Sequence, residues 1–190
     1  ARSAAPDGAV RLQTRGSTLG VWVEILSGSG LFAEGAAIGV RGIALSRTPE
    51  DGPVDVVVPS AALADRFARG TPGASILEVP PASVHAAWAG ATGALAGWAP
   101  AGSIDAEALR AAAEAGIAEI AQAAPAAVGS LAVQALRQRV WGRPVDGDVP
   151  AGAAFTAYVL GFLRPVETVA VHRSGRWVRL GSAAGHVLAR

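Results

Sequence analysis

Few residue types in this chain could do chemistry. It holds three histidines (His85, His172 and His186), 15 Asp and Glu residues and 16 arginines, and it has no Lys, Cys or Met. Without Lys there is no pyridoxal Schiff base, no lysine-dependent aldolase and no phosphate loop of the G-x-x-x-x-G-K-[ST] kind. Without Cys there is no thiolate nucleophile, disulfide, iron–sulfur cluster or cysteine zinc site. No two histidines stand at the three- or four-residue spacing that puts two ligands on one helix face. No H-E-x-x-H and no G-x-S-x-G elbow is present. Ser182 and His186 are close in sequence, which is not triad geometry. Glu107, Glu114 and Glu119 lie on an Ala-rich stretch and are expected to face solvent. These residues select no catalytic constellation, no metal site and no cofactor.

The segment Gly28-Ser-Gly30-Leu-Phe-Ala33 fits G-x-G-x-x-A after a strand-like run and imitates a dinucleotide fingerprint. A genuine site needs a helix of several turns next, whereas Gly35, Gly39 and Gly42 interrupt any such helix and a new strand-like run begins at Ile38. A tight hairpin or loop is the better reading.

Charge distribution gives the one positive clue. Residues 128–190 hold eight Arg against Asp146, Asp148 and Glu167, while residues 103–127 hold Arg110 against four acids. A basic C-terminal third is thus concealed in a chain whose formal net charge is only +1. Its densest part is His172-Arg-Ser-Gly-Arg-Trp-Val-Arg179, an aromatic residue inside a basic run, suited to an acidic partner or to phosphate. The candidate binding residues are Arg143, His172, Arg173, Arg176, Trp177 and Arg179.

The elements that would position them change character along the chain. Val10 to Thr14, Leu19 to Leu26, Ile38 to Leu45 and Val54 to Val58 are rich in branched or aromatic residues and bounded by turn signals, so each reads as a strand. Ser60 to Arg69 reads as a helix capped by Ser60 and stopped by Gly70, with Leu63 and Phe67 on one face, and Ile76 to Val79 as a further strand. Trp98 to Gly102 reads as a boundary. Three helices are then expected, from Ser103 to Ile120 with Ser103 as cap, from Leu131 to Trp141, and from Ala151 to Leu163. A hairpin of Thr168 to His172 with Trp177 to Leu180 follows, and Gly185 to Leu188 makes a last strand.

The expected fold is therefore α+β: a sheet-rich part with one helix over residues 1–98, then three helices closed by a β-hairpin over 99–190, in winged-helix-like order. The third helix carries no cation and no Asn or Gln, so it is poorly equipped to read base edges. The uncharged stretch Ala82 to Ala101 is mostly Ala and Gly, holds His85 and follows Pro80-Pro81, so no membrane span is expected despite a mean hydropathy of +0.37. Ala1 to Gly8 lacks the plan of an export signal. Absence of Cys fits a reducing cytoplasm.

At Trp98-Ala-Pro-Ala-Gly102, Val140-Trp-Gly-Arg-Pro144, Val149-Pro-Ala-Gly-Ala-Ala-Phe155 and His172-Arg-Ser-Gly-Arg-Trp177, the chain resembles a family of uncharacterised two-part actinobacterial proteins. That resemblance implies the two-part layout and brings no catalytic residues. The leading expectation is a non-enzymatic cytoplasmic binding protein that uses the basic hairpin, with a protein partner or self-association ahead of nucleic acid. The alternative is a winged-helix nucleic-acid binder, followed by an enzyme or small-ligand binder with a site between the two parts.

Overall fold

The computed structural model describes residues 8–30, 33–70, 76–90, 97–123 and 129–190. It is α+β, and the chain forms two compact units. One comprises Ala1–Glu24 and Arg41–Ala91, the other Ile25–Val40 and Thr92–Arg190.

In the first unit, β1 (Ala9–Arg15) pairs antiparallel with both β2 (Thr18–Leu26) and β4 (Asp55–Pro59), while β3 (Ala37–Ala44) enters this unit only at Arg41. Period-two alternation along β1 sends Val10 and Leu12 inward, where they join Val58 and the flanks of Leu19, Val21, Val56 and Leu63. The helix α1 (Ser60–Arg69) has the expected bounds. Its cap differs from expectation: Pro59 occupies that position without a side-chain hydrogen bond, and the Ser60 backbone N–H donates instead to the Gly8 carbonyl. Leu63 packs on the core, but Phe67, expected on the same face, is exposed. Ile76 to Val79, expected as a strand, forms none and is exposed, and among the described residues no strand pairs with it. A single helical turn, α2 (Ala87–Gly90), completes the described part of this unit.

On β1, Arg11 holds Asp55 with two hydrogen bonds of 2.7 Å and donates a third, also 2.7 Å, to the Ala89 carbonyl. Gln13 donates to the same carboxylate at 2.9 Å. The Arg11 hydrogen bond above all, aided by Gln13 and opposed by partial burial, holds the Asp55 carboxyl below its usual range. A carboxyl depressed in the folded state adds stability above its ordinary value, about 4, and that stability is lost as pH falls through the lower folded value. The melting temperature is therefore expected to fall below pH ~4 less steeply in Asp55→Asn than in the unaltered chain. Parallel curves in thermal melts across that range would remove Asp55 from the account.

In the second unit an antiparallel sheet has the strand order β3, β10, β9, β8, β5, with β5 spanning Ala99–Asp105, β8 Thr168–Ser174, β9 Trp177–Ser182 and β10 Gly185–Ala189. Three helices, α3 (Ala106–Ala123), α4 (Ser130–Trp141) and α5 (Ala151–Val159), belong to it, together with the small hairpin of β6 (Pro144–Asp146) and β7 (Val149–Pro150). One face of the sheet supplies Val169, Val171, Val178, Leu180 and Val187 to a core completed by Leu109 of α3, Ala153, Ala154 and Ala157 of α5, and Phe162 and Leu163. A second cluster gathers Leu136, Val140, Trp141 and Ala151, in which the Trp141 and Phe155 rings stack at 4.3 Å.

Two boundaries and one pairing here depart from expectation. The helix read from Ser103 begins at Ala106, because Ser103, Ile104 and Asp105 are taken into β5 opposite Ala170, Val169 and Thr168. Its upstream neighbours, from Ala99, are strand as well. The helix expected to reach Leu163 ends at Val159 in a Schellman turn: Phe162 N–H donates to the Ala157 carbonyl, Gly161 N–H to that of Tyr158, and Gly161 has φ +66°. That turn drives Phe162 and Leu163 into the core. The β8–β9 hairpin is not a free wing, since β5 pairs with its outer side at β8 and β10 with its other side at β9. Among the described residues no helix is long and apolar enough to cross a membrane.

Candidate functional site

Strand period divides the basic run His172 to Arg179 between the two sides of the sheet. Val171 and Val178 point into the helix-covered core, so their neighbours His172, Trp177 and Arg179 emerge on the opposite face. Arg173 lies on the core side at its margin, 3.4 Å from Asp148, and Arg176 sits in the turn beside Gly175, 3.9 Å from Glu34. These two, with Arg190, Trp141 and the start of α5, line a cleft of about 510 Å³. Arg143 stands apart. It follows α4 and forks onto Glu119 of α3, with one of the two hydrogen bonds at 2.8 Å, and that contact raises the Arg143 value and lowers that of the Glu119 carboxyl. The fold therefore brings together His172, Trp177 and Arg179 of the six candidates and distributes the other three.

Three residues outside the expected set join them. His172 is directly opposite Arg179 in the β8–β9 register. The Arg179 guanidinium lies over the Trp98 ring at 5.0 Å, and that of Arg190 lies over Trp177 at 5.2 Å. On β10, His186 pairs with Gly181, and its ring occupies the space a side chain there would need: a Cβ on Gly181 would stand 3.2 Å from His186 Nδ1. The His186 imidazole is held below its usual value, by partial burial first and then by Arg179 and His172. His172 Nδ1 and Arg179 Nε are buried without a hydrogen-bond partner. The alternation of His186 and Leu188 marks one face of β10, but only strand pairing places that face beside Arg179.

Other chemistry finds little support in this geometry. The Ser182 hydroxyl donates to the Gly185 carbonyl at 3.1 Å and accepts from Ala184 N–H, so it serves the turn. His85 is exposed and belongs to the other unit. Among the described residues no group of three or more His, Asp or Glu side chains could hold a metal ion. The glycine-rich segment after β2 is a tight loop closed by mutual backbone hydrogen bonds of 2.9 Å between Ser29 and Glu34; its Leu31 and Phe32 lie outside the described residues. Gly28 is needed because a Cβ there would stand 2.3 Å from the Ala33 carbonyl oxygen, a close approach of the chain to itself and not to a pyrophosphate.

No curated protein and no solved structure matches the chain. Two family models do: residues 1–90 match the domain of unknown function DUF8010, and residues 94–190 match the domain of unknown function DUF8185. With more than half of its length in the second match, the chain belongs to the DUF8185 family.

Proposed function

We propose that this chain is a non-enzymatic binding protein of the cytoplasm whose C-terminal strands β8 to β10 engage an acidic protein partner. One observation carries the reading: the sheet face opposite the helices gathers Arg179, His172 and His186 beside Trp98 and Trp177, and no carboxylate is ion-paired with Arg179 among the described residues. Aromatic anchors beside Arg are the residue types enriched where protein interfaces bind most strongly.

Nucleic acid is the second reading, favoured by tryptophan rings that lie beside cations as in base-stacking platforms. A winged-helix mode for it is poorly supported. Ala151, Gly152, Ala153, Ala154, Thr156 and Ala157 of α5 are buried, which leaves that helix little surface to lay in a groove.

The test is fluorescence anisotropy of the full chain with a labelled poly-glutamate peptide and with duplex DNA, at low and physiological salt. His172→Gln with Arg179→Gln is expected to weaken peptide binding about tenfold, equivalent to ~1.4 kcal/mol. Arg173→Gln with Arg176→Gln removes as much or more formal charge and is expected to cost far less. Equal losses in the two pairs would show a diffuse charge effect and overturn the assigned face. Tighter DNA binding, lost only in the first pair, would replace the protein reading with the nucleic-acid one.

A further inference from the structure

We propose that His172, Arg179 and His186 form a binding site for a phosphoryl group. The inference rests on the reading of this sheet face as the contact surface, and it names the chemistry that the face recognises.

Three adjacent strands each supply one nitrogen-bearing side chain to the same spot. His172 of β8 is directly opposite Arg179 of β9, which places their Cβ atoms roughly 5 Å apart. His186 of β10 pairs with Gly181, two residues along β9 from Arg179, so it is a diagonal neighbour at roughly 7–8 Å. Gly181 is paired in turn with Ala170 of β8, so the middle of the group is floored by two small residues. A larger residue at Gly181 would push back the His186 ring, which the glycine allows to lie over β9.

The arrangement is costly without a ligand. It gathers a permanent cation and two imidazoles, and the proton on His186 is already disfavoured by burial, Arg179 and His172. On its other side β3 sets Val40 opposite His186 and offers no compensating acid. Buried polar atoms are seldom left unpaired, yet His172 Nδ1 and Arg179 Nε both are. Trp98 under the guanidinium holds Arg179 in place, which reduces the freedom lost when an anion binds. An anion held by the other nitrogens of these side chains would offset the positive charge that the three strands bring together.

The number and spread of donors select the anion. A carboxylate offers two coplanar oxygens and is met well by a single Arg fork. Donors arriving from three strands suit the separate oxygens of a tetrahedral group. A phosphate monoester, with a second pKa near 6, also becomes a dianion in the range where imidazole protonates. It can be carried by a free ester or by a phosphorylated side chain of the partner.

The experiment follows the histidine C2–H resonances of the full chain during titration with inorganic phosphate, ionic strength being held with chloride. His172→Gln and His186→Gln spectra assign the signals, and exposed His85 of the other unit serves as the internal reference. Saturable shifts are expected at His172 and His186 but not at His85, with the His186 titration midpoint moved upward by phosphate. Arg179→Gln is expected to weaken phosphate binding at least tenfold. Gly181→Ala is expected to weaken it while leaving Arg179 and both imidazoles present. Equal shifts at all three histidines, unchanged affinity in Arg179→Gln, or the same response to acetate would overturn the site.

A phosphoserine peptide binding more tightly than inorganic phosphate would place the group on a protein partner, and equal affinity on a free ester; both support the site. If phosphate gives no saturable shift while poly-glutamate still binds and still loses affinity in the His172 and Arg179 variant, the phosphoryl site falls and the contact face stands. If neither binds, both fall.

Discussion

Trp141→Ala is expected to destabilise the second unit by about 3–5 kcal/mol, the range for removing a large buried aromatic residue. Trp141 is 8% exposed, stacks on Phe155 of α5 with the ring planes 22° apart, and packs with Leu136, Val140 and Ala151. Two glycines are shaped around it: a Cβ on Gly116 of α3 would stand 2.4 Å from its ring, and one on Gly152 of α5 would stand 3.4 Å from its Cβ. The indole therefore ties α4 to both neighbouring helices, beside Leu136 and Val140, which are also buried on α4. Equilibrium denaturant unfolding would measure the loss. A change below about 1 kcal/mol would mean that α4 is held by something other than this ring.

The second large effect separates the two faces of one strand. Leu180→Ala is expected to cost about 2–5 kcal/mol, because Leu180 is 2% exposed in the core formed with Ala157, Leu163, Val169 and Val187. Arg179→Ala, one residue away, is expected to change stability far less. Its side chain lies on the other face against Trp98, and its truncation also removes an unpaired buried nitrogen. In thermal melts the first variant should fall well below the unaltered chain and the second remain near it. A large loss in Arg179→Ala would make that residue a structural element of the sheet and weaken the case for a ligand there. Unaltered stability together with lost phosphate binding would strengthen it.

Much of the architecture was legible because it follows local patterns. The alternating, branched runs around Val10, Val21, Ile38, Val56, Val171, Val178 and Val187 all became strands, close to their expected bounds. Helix α1 stops at Gly70 as that glycine suggested, and α4 ends at Trp141 as expected. The misreadings share one cause. Ser103-Ile-Asp has the look of a helix cap, yet Ile104 is worth more in a ladder against Val169, with its side chain in the core. Ile76 to Val79 has strand composition but finds no partner strand among the described residues, and β propensity has little force without one. Phe67 has the spacing of a buried residue but is exposed among the described residues.

The candidate site was half legible for a related reason. Composition alone determined that Lys and Cys chemistry is closed to this chain, that its C-terminal third is basic, and that the hairpin from His172 to Arg179 concentrates that charge. Local periodicity also implies that alternate residues of a strand part company. What only the tertiary structure decided is which partners each side meets: Arg143 is tied to Glu119, Arg173 is paired with Asp148, and Arg179 is set among Trp98, His172 and His186. Charge and period are properties of neighbours along the chain. Register between β8, β9 and β10 is fixed by burying Val171, Leu180 and Val187 against α3 and α5, and that long-range packing gives the opposite face its grouping.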